Sequence, residues 1–371
     1  VKLRDVLLGT QPPQPKATAA LKPFVFTGGP RSVSQSSGIP YVGRSDALSV
    51  PAVSRARNLI ASTIAGMPLL NYASDGTEID RLPWMVQPEA DTPRMTTLSY
   101  TIDSLFFYGQ AYWQVTEQYL EDGRPRLFQW VDPSTVGYRW NAAGTKIVGY
   151  EIDGTVTPST GVGRLIVFTG TDEGLLARAG RTIKTAVELE RASLNYAETP
   201  MPSIALKNTG MDLPQEQVES LLARWKEARG ARATAYLNAS LEAQVIGFSP
   251  KDLALVEARE YIVQDLARAT GIPPWYLGAD TGSSMTYSNL NSSRRDLIDF
   301  SLQPYVHAVE QRLSMQDVLP RGQHVAFSFT DFLRSSPIER AQLYMSLVPL
   351  GIITPEEARA LEDFAPGGPQ Q

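Results

Sequence analysis

Cysteine is absent from this 371-residue chain. Its absence removes disulfide cross-links, thiolate nucleophiles and cysteine-ligated metals together. Histidine is nearly absent too. The two that occur, His307 and His324, are too few for a histidine-rich metal cluster. No apolar run approaches the roughly 20 residues that span a bilayer, so nothing in the sequence reads as transmembrane. The segment VKLRDVLLGTQPPQPK has a short apolar patch but no small-residue cleavage site behind a longer hydrophobic stretch, which argues against a signal peptide. H-E-x-x-H, G-x-S-x-G and a phosphate-loop lysine are all missing, and with them the commonest signatures of hydrolysis and nucleotide turnover. A basic excess is missing as well. The formal net charge is −5, whereas proteins that grip DNA by neutralising phosphates carry a basic stripe. Any encounter with DNA is expected to be loose.

What is present is ordinary for a globular protein: 43% hydrophobic residues and 20% charged, enough for two or three compact units. Residues 1–45 are rich in Pro, Gly, Ser and Gln without periodicity and read as an extended arm or a mobile tail. A helix is predicted from Ser49, with Ser49 as cap, Pro51 in the first turn and Val53, Ala56, Ile60 and Ile64 as its buried stripe. A strand over 67–72 and a helix over 96–108, closed by Gly109, come next. Five β segments follow, over 111–119, 126–131, 136–140, 146–152 and 164–168, with turns at Asp122-Gly123 and Ala143-Gly144. A helix over 175–197 carries Leu176, Ala179, Ile183, Val187 and Leu194 on one side. Residues 201–247 form a small α/β insert: a strand, an amphipathic helix over 215–229 and two more strands.

The stretch from 252 to 299 is the most informative. Leu255, Ala258, Ile262, Leu266 and Ala269 recur at helical spacing. Gly271 stands at the C-cap position, and Pro273 and Pro274 forbid continuation. A loop over 279–288 follows, rich in Gly, Ser and Thr and with one charge. A second helix over 292–315 contains Pro304, which should kink or unwind it. A strand over 325–329 and two helices opened by Pro337 and Pro355 complete the chain, with Thr354 as N-cap of the second.

This stretch closely resembles the portal proteins of tailed bacteriophages, in the HK97-like portal family. The family's pattern of a helix ending in ARAxGIPPxxLG, a loop, T-x-S-N and a long helix is matched by Ala267, Arg268, Ala269, Gly271, Ile272, Pro273, Pro274, Leu277, Gly278, Thr286, Ser288 and Asn289. Where the family places an acidic residue after that asparagine, this chain has Asn291 and two serines. LFFYGQAYWQV is similar to the family's GNAY strand entrance, with Gln110 for Asn. Arg340, Ala341, Tyr344, Leu347, Gly351, Thr354, Glu357 and Arg359 match its C-terminal run.

The resemblance implies an α+β portal fold. Its parts would be an extended N-terminal arm (1–45), an α/β wing (46–172), two stem helices (173–199 and 249–272) bracketing a small α/β clip (200–248), a tunnel loop region (273–291), a kinked tunnel helix (292–316) and a return strand with short C-terminal crown helices (317–371). It implies a ring of about twelve subunits with head-to-tail contacts at one vertex of a virion, through which double-stranded DNA is packaged and ejected. The partners implied are the major capsid protein, the large terminase, a head–tail adaptor and non-specifically held double-stranded DNA, with no membrane and no cofactor. Asp280, Thr281, Ser283, Ser284, Met285, Thr286, Tyr287 and Asn289 would line the channel, and Arg294 and Arg295 are candidate phosphate contacts. Trp225, Arg224, Arg229 and Arg232 would form a clip interface.

Other readings stay open. A connector of a gene-transfer particle would share these landmarks, and a carboxylate-based metal-dependent hydrolase is the enzymatic alternative. GVGR at 161–164 reads as a hairpin turn rather than a dinucleotide loop, and His307 and His324 as packing or surface residues. Arg294 and Arg295 could simply solvate a helix face. Trp84, Trp113 and Trp130 read as core or interface anchors.

Overall fold

The computed structural model describes residues 42–198, 204–208, 210, 214–230, 241–245, 255–279, 294–329, 332 and 337–362. Mixed helices and sheets make up the fold, and among the described residues every strand pairing is antiparallel.

Two helices open the described chain, α1 (Arg44–Ser49) and α2 (Pro51–Gly66), separated by extended Val50. Ser49 is therefore not the cap of α2. It ends α1, and its hydroxyl donates to the Asp46 carbonyl at 2.6 Å. Pro51 supplies a preset φ and has no N–H to satisfy, so α2 starts without a side-chain cap. The expected boundary of the arm at residue 45 also moves. Val42 and Ala47 are buried, and Arg44 pairs with Asp103 at 2.8 Å, so the folded unit begins before residue 45.

The α2 stripe of Val53, Ala56, Ile60 and Ile64 is buried as its spacing predicts. It packs on α4 (Arg94–Tyr108), reached through β1 (Leu69–Ala73), β2 (Glu78–Ile79) and α3 (Pro83–Val86). The pieces β2 and α3 are too short to show a period in sequence. Gly109, at φ 72°, closes α4 and turns the chain into β3 (Gln110–Gln118). That strand is flanked by β4 (Pro125–Val131) and β8 (Leu165–Thr169), while β5 (Val136–Trp140), β6 (Ile147–Ile152) and β7 (Thr155–Val156) form a second sheet. GVGR is the turn that feeds β8, with Gly161 and Gly163 at positive φ.

Antiparallel packing of α5 (Leu175–Glu198) with α7 (Leu255–Thr270) extends away from this block. Near the block Leu175, Ala179, Ile183, Leu266 and Ala267 are buried. Farther out the burial ends: Leu194, on the apolar side of the helix, is 58% exposed. Between these helices in sequence lie β9 (Ile204–Asn208), α6 (Gln215–Gly230) and β10 (Leu241–Val245), and β9 pairs with β10. The strand expected over 233–238 lies outside the described residues.

After a π-helical turn at Leu297–Leu302, α8 (Gln303–Leu313) runs into the core. It hands the chain to β11 (Gln323–Phe327), which returns to pair with β1 from Leu69↔Phe327 to Ala73↔Gln323. The last described elements are α9 (Pro337–Leu347) and α10 (Pro355–Leu361). Thr354 caps α10 as expected: the Glu357 N–H donates to its hydroxyl at 3.2 Å, and the Thr354 N–H donates back to the Glu357 carboxylate at 2.7 Å.

One apolar core joins α1, α2, α4, β3, β8, α5, α7, α8 and β11. Trp84 and Trp113 stand at its centre, and the Trp113 indole N–H donates to Thr101 at 2.7 Å. Trp130 is half-buried and meets Tyr100 at a tilted angle of 45°, ring centroids 5.0 Å apart. His307 is exposed on α8, and exposed His324 stacks on Tyr72.

Candidate functional site

The site is the junction where α7 stops in a proline turn and where, after residues 280–293, the chain re-enters the core through the π-helical turn before α8. Near the end of α7 the Thr270 hydroxyl bonds back to the Leu266 carbonyl at 2.8 Å. Gly271 then takes φ 71°, and the Ile272 N–H reaches the Ala267 carbonyl at 3.2 Å, a left-handed helix stop. Pro273 and Pro274 exclude further helix, and Pro274–Leu277 forms a single 3₁₀ turn. Gly278, at φ 85°, ends it, with Ala279 N–H bonded to the Pro274 carbonyl at 3.1 Å. Buried Ile272 and Leu277 hold this turn to the core.

Two further bonds tie the junction to its surroundings. Arg55 of α2 donates from Nε to the Tyr276 carbonyl. The Ser301 hydroxyl donates to the Gly271 carbonyl at 2.6 Å, so the returning strand of the junction is bonded to the departing one. The expected disturbance at Pro304 takes a defined form. Proline has no N–H and its ring crowds the carbonyl four residues earlier, here that of Phe300, and the turn widens to a π-helix at Leu297–Leu302 immediately before α8. Leu297, Ile298 and Leu302 are buried by that turn.

Asp280, Thr281, Ser283, Ser284, Met285, Thr286, Tyr287 and Asn289 lie outside the described residues. Their anchors at 271–279 and 294–302 are described, and both pack on α2. Arg294 is half-buried and Arg295 exposed, and neither is paired with a carboxylate among the described residues. Burial pushes the Tyr276 hydroxyl above its ordinary pKa, with Arg294 pulling it down and Asp296 adding to the rise. Arg294 is thus electrostatically coupled to the turn at the other end of the loop. Arg224 and half-buried Trp225 lie together on α6, the Trp225 indole N–H without a partner among the described residues. Arg232 and the side chain of Arg229 are outside the described residues.

Sequence reasoning missed Arg55, Tyr276 and Ser301. Tyr276 lay inside the matched proline segment, but nothing local to Arg55 or Ser301 pointed to this junction. Between α2 and Tyr276 a cleft of about 510 Å³ opens beside Pro51, Ser54, Arg55, Asn58 and Ser62. Among the described residues no cluster of three or more His, Asp or Glu side chains could hold a metal ion. Likewise, no described helix is long and apolar enough to cross a membrane.

With this geometry in hand, the chain can be compared with known proteins. The family described as "Phage portal protein" matches residues 51–363. A probable portal protein of Streptomyces phage phiC31 is 25% identical over 382 residues, covering 93% of this chain and 80% of that protein. The portal protein of Enterobacteria phage HK97 is 23% identical over 52% of this chain and 47% of its own length. Among solved structures, an HK97-family phage portal protein from Corynebacterium diphtheriae superposes with a TM-score of 0.63 at 26% identity, covering 80% of this chain and 99% of that one. A chain from the neck of a native gene transfer agent particle, computed with C12 symmetry, shares the fold at 21% identity and a TM-score of 0.54, over 88% of this chain and 95% of that one. The matched family span runs from the start of α2 past α10 and contains the whole loop junction; this chain belongs to the phage portal protein family.

Proposed function

We propose that this chain assembles into a closed ring of about twelve subunits with head-to-tail contacts at one vertex of a capsid, and that double-stranded DNA passes through its centre during packaging and ejection. The observation that carries the reading is the loop junction. A rigid helix stop, a bonded return through Ser301 and a shared seat on α2 hold both ends of a loop that is rich in Gly, Ser and Thr. Loops held on a rigid scaffold are where proteins place function, and a weakly charged loop lets a polyanion slide because few counterions are displaced.

In this reading residues 46–172 are the wing, α5 and α7 the stem, 200–248 the clip, 273–291 the tunnel loop, 292–316 the tunnel helix and 317–371 the return strand and crown. The wing meets the major capsid protein. The clip docks the large terminase and later the head–tail adaptor, with Arg224, Trp225, Arg229 and Arg232 at that surface. The chain works as a scaffold and channel in the virion, and the energy for packaging comes from the terminase. The fold shared with a gene transfer agent neck computed with C12 symmetry supports the ring and favours one second reading, the same channel in a gene-transfer particle.

Electron microscopy and mass measurement of the purified protein test the ring, with a central hole and about a dozen times 40.7 kDa expected. A variant shortened within residues 279–288 is expected to assemble rings and to fail in DNA packaging or retention. Normal packaging and retention would remove the role assigned to the loop. DNA extracted from native particles separates the two readings: a defined genome indicates a phage, assorted host fragments a gene-transfer particle.

A further inference from the structure

We propose that the cleft between α2 and the Pro274–Leu277 turn is a contact site for the DNA phosphate backbone, anchored by Arg55. The proposal rests on the channel reading above and assigns it a site on the described scaffold.

The walls of the cleft are chemically one-sided. Pro51, Ser54, Arg55, Asn58, Leu59 and Ser62 of α2 line it, Tyr276 stands across from them, and among the described residues no carboxylate lines the space. The hydrogen bonds already made leave donors over. Arg55 uses Nε on the Tyr276 carbonyl, which fixes the guanidinium while its two terminal amino groups have no partner among the described residues. The Asn58 side-chain oxygen accepts from Arg57 at 3.0 Å, and among the described residues its amide NH₂ and the Ser54 hydroxyl have no partner. A cation, an amide NH₂ and a hydroxyl around one cavity suit an oxyanion, and a phosphodiester oxygen meets arginine in this fashion.

Elsewhere in the molecule several arginines are neutralised by carboxylates. Arg44 and Arg57 share Asp103, Arg164 and Arg312 share Asp317, and Arg340 pairs with Glu362. Arg55, Arg294 and Arg295 have no carboxylate partner among the described residues. Arg55 is bonded to the carbonyl of Tyr276, whose hydroxyl feels Arg294, so two unneutralised arginines act on the same turn. Asp296 is an opposing charge that acts on the same tyrosine. In a chain of net charge −5 this is a local positive spot, able to touch a passing phosphate without the tight grip of a basic stripe.

The test measures binding of a short fluorescent mixed-sequence DNA duplex to the assembled full-length protein across a salt series. Variants R55Q and N58D are compared with wild type and with R126Q, which alters an exposed arginine on β4 paired with Glu117. N58D keeps the oxygen that accepts from Arg57 and adds a repelling charge. Both cleft variants are expected to weaken binding, and R55Q to lower the slope of log affinity against log salt by about 0.9, one phosphate contact, with R126Q unchanged. Because the chain has no cysteine, S62C places one thiol per subunit in the cleft, which should exchange with a duplex carrying a mixed disulfide tethered to its phosphate backbone, forming the protein–DNA disulfide and releasing the small thiol. Wild-type affinity and slope in both R55Q and N58D would overturn the site and leave the channel reading standing. No duplex binding by the wild-type ring would overturn both. Loss of assembly in R55Q with DNA affinity unaltered would also overturn it, identifying the oxyanion as a carboxylate of a neighbouring copy.

Discussion

The Ser301 hydroxyl bonds to the Gly271 carbonyl at 2.6 Å across 30 residues of sequence. The carbonyl at the end of a helix lacks an intrahelical donor, and here a residue of the π-helical turn supplies one. The bond holds the departure and return of the candidate channel loop at a fixed separation. Ser301→Ala removes the donor from the carbonyl of an exposed glycine, which water can then partly satisfy, and about 0.5–1.5 kcal/mol of stability is expected to be lost. Chemical denaturation measures the loss, and limited proteolysis within 280–293 should accelerate more than at other sites. Unchanged cleavage there would show that the bond does not govern the loop.

A second prediction concerns the exposed edge of β11. The Phe327 N–H donates to Glu310 at 2.7 Å and the Val325 N–H to Ser314 at 2.9 Å, so α8 satisfies an edge that would otherwise invite another strand. Burial raises the Glu310 pKa, against the lowering effects of the Phe327 N–H, His307 and His324. A carboxyl whose folded pKa exceeds its unfolded value contributes stability that is complete below the unfolded value and lost as pH rises through the folded one. Glu310→Gln keeps an acceptor without the titration. The stability of wild type relative to this variant should therefore fall as pH rises through the acidic range. Glu310→Ala instead leaves the Phe327 N–H unpaired and should cost about 1–3 kcal/mol.

Gly109 and Gly174 meet backbone to backbone where α4, β3 and α5 converge. A Cβ on Gly174 would lie 2.5 Å from the Phe107 carbonyl oxygen and 2.5 Å from the Gly109 nitrogen, at a φ of 79°. Strain and overlap act together, so Gly174→Ala is expected to cost about 3 kcal/mol or more. Thermal melting reads this directly. A loss under about 1 kcal/mol would mean that the two segments separate easily.

Asp103 holds two arginines from two different helices, Arg44 of α1 and Arg57 of α2. Its carboxylate is 7% exposed. Asp103→Ala removes the only carboxylate paired with Arg57 among the described residues and should cost about 3 kcal/mol. Removing residues through Ser49 takes away the Arg44 bond and the buried Ala47 but spares Arg57, and it should cost less than Asp103→Ala. The reverse order, read by denaturation of both variants, would mean that the Arg57 pair contributes little.

Much of the framework was legible because it is written locally. Helix stripes such as Val53, Ala56, Ile60 and Ile64, the stops at Gly109 and Gly271, the Thr354–Glu357 cap and the strand alternation need only neighbours within a few residues. Ser49 misled for a local reason. A serine two residues before a proline resembles a cap, but a short helix ending at Ser49 left nothing to signal it in so few residues. Leu194 marks the limit of such reading, because periodicity identifies an apolar side of a helix but not how far along it the neighbouring core extends.

Composition and local pattern thus determined the class of the protein, the order of its elements and the landmarks of its family, since helix stops, turns and apolar periods follow from steric and hydrogen-bonding rules acting over a turn or a strand. Tertiary structure alone decided that β11 closes the sheet at β1, that Arg44 and Arg57 converge on Asp103, that Glu310 guards the β11 edge and that Arg55 and Tyr276 frame a donor-lined cleft. Arg55 and Tyr276 are 221 residues apart in the chain. Over such a distance no local preference selects a partner; the choice is made by the packing of α2, α7 and the π-helical turn around a common core.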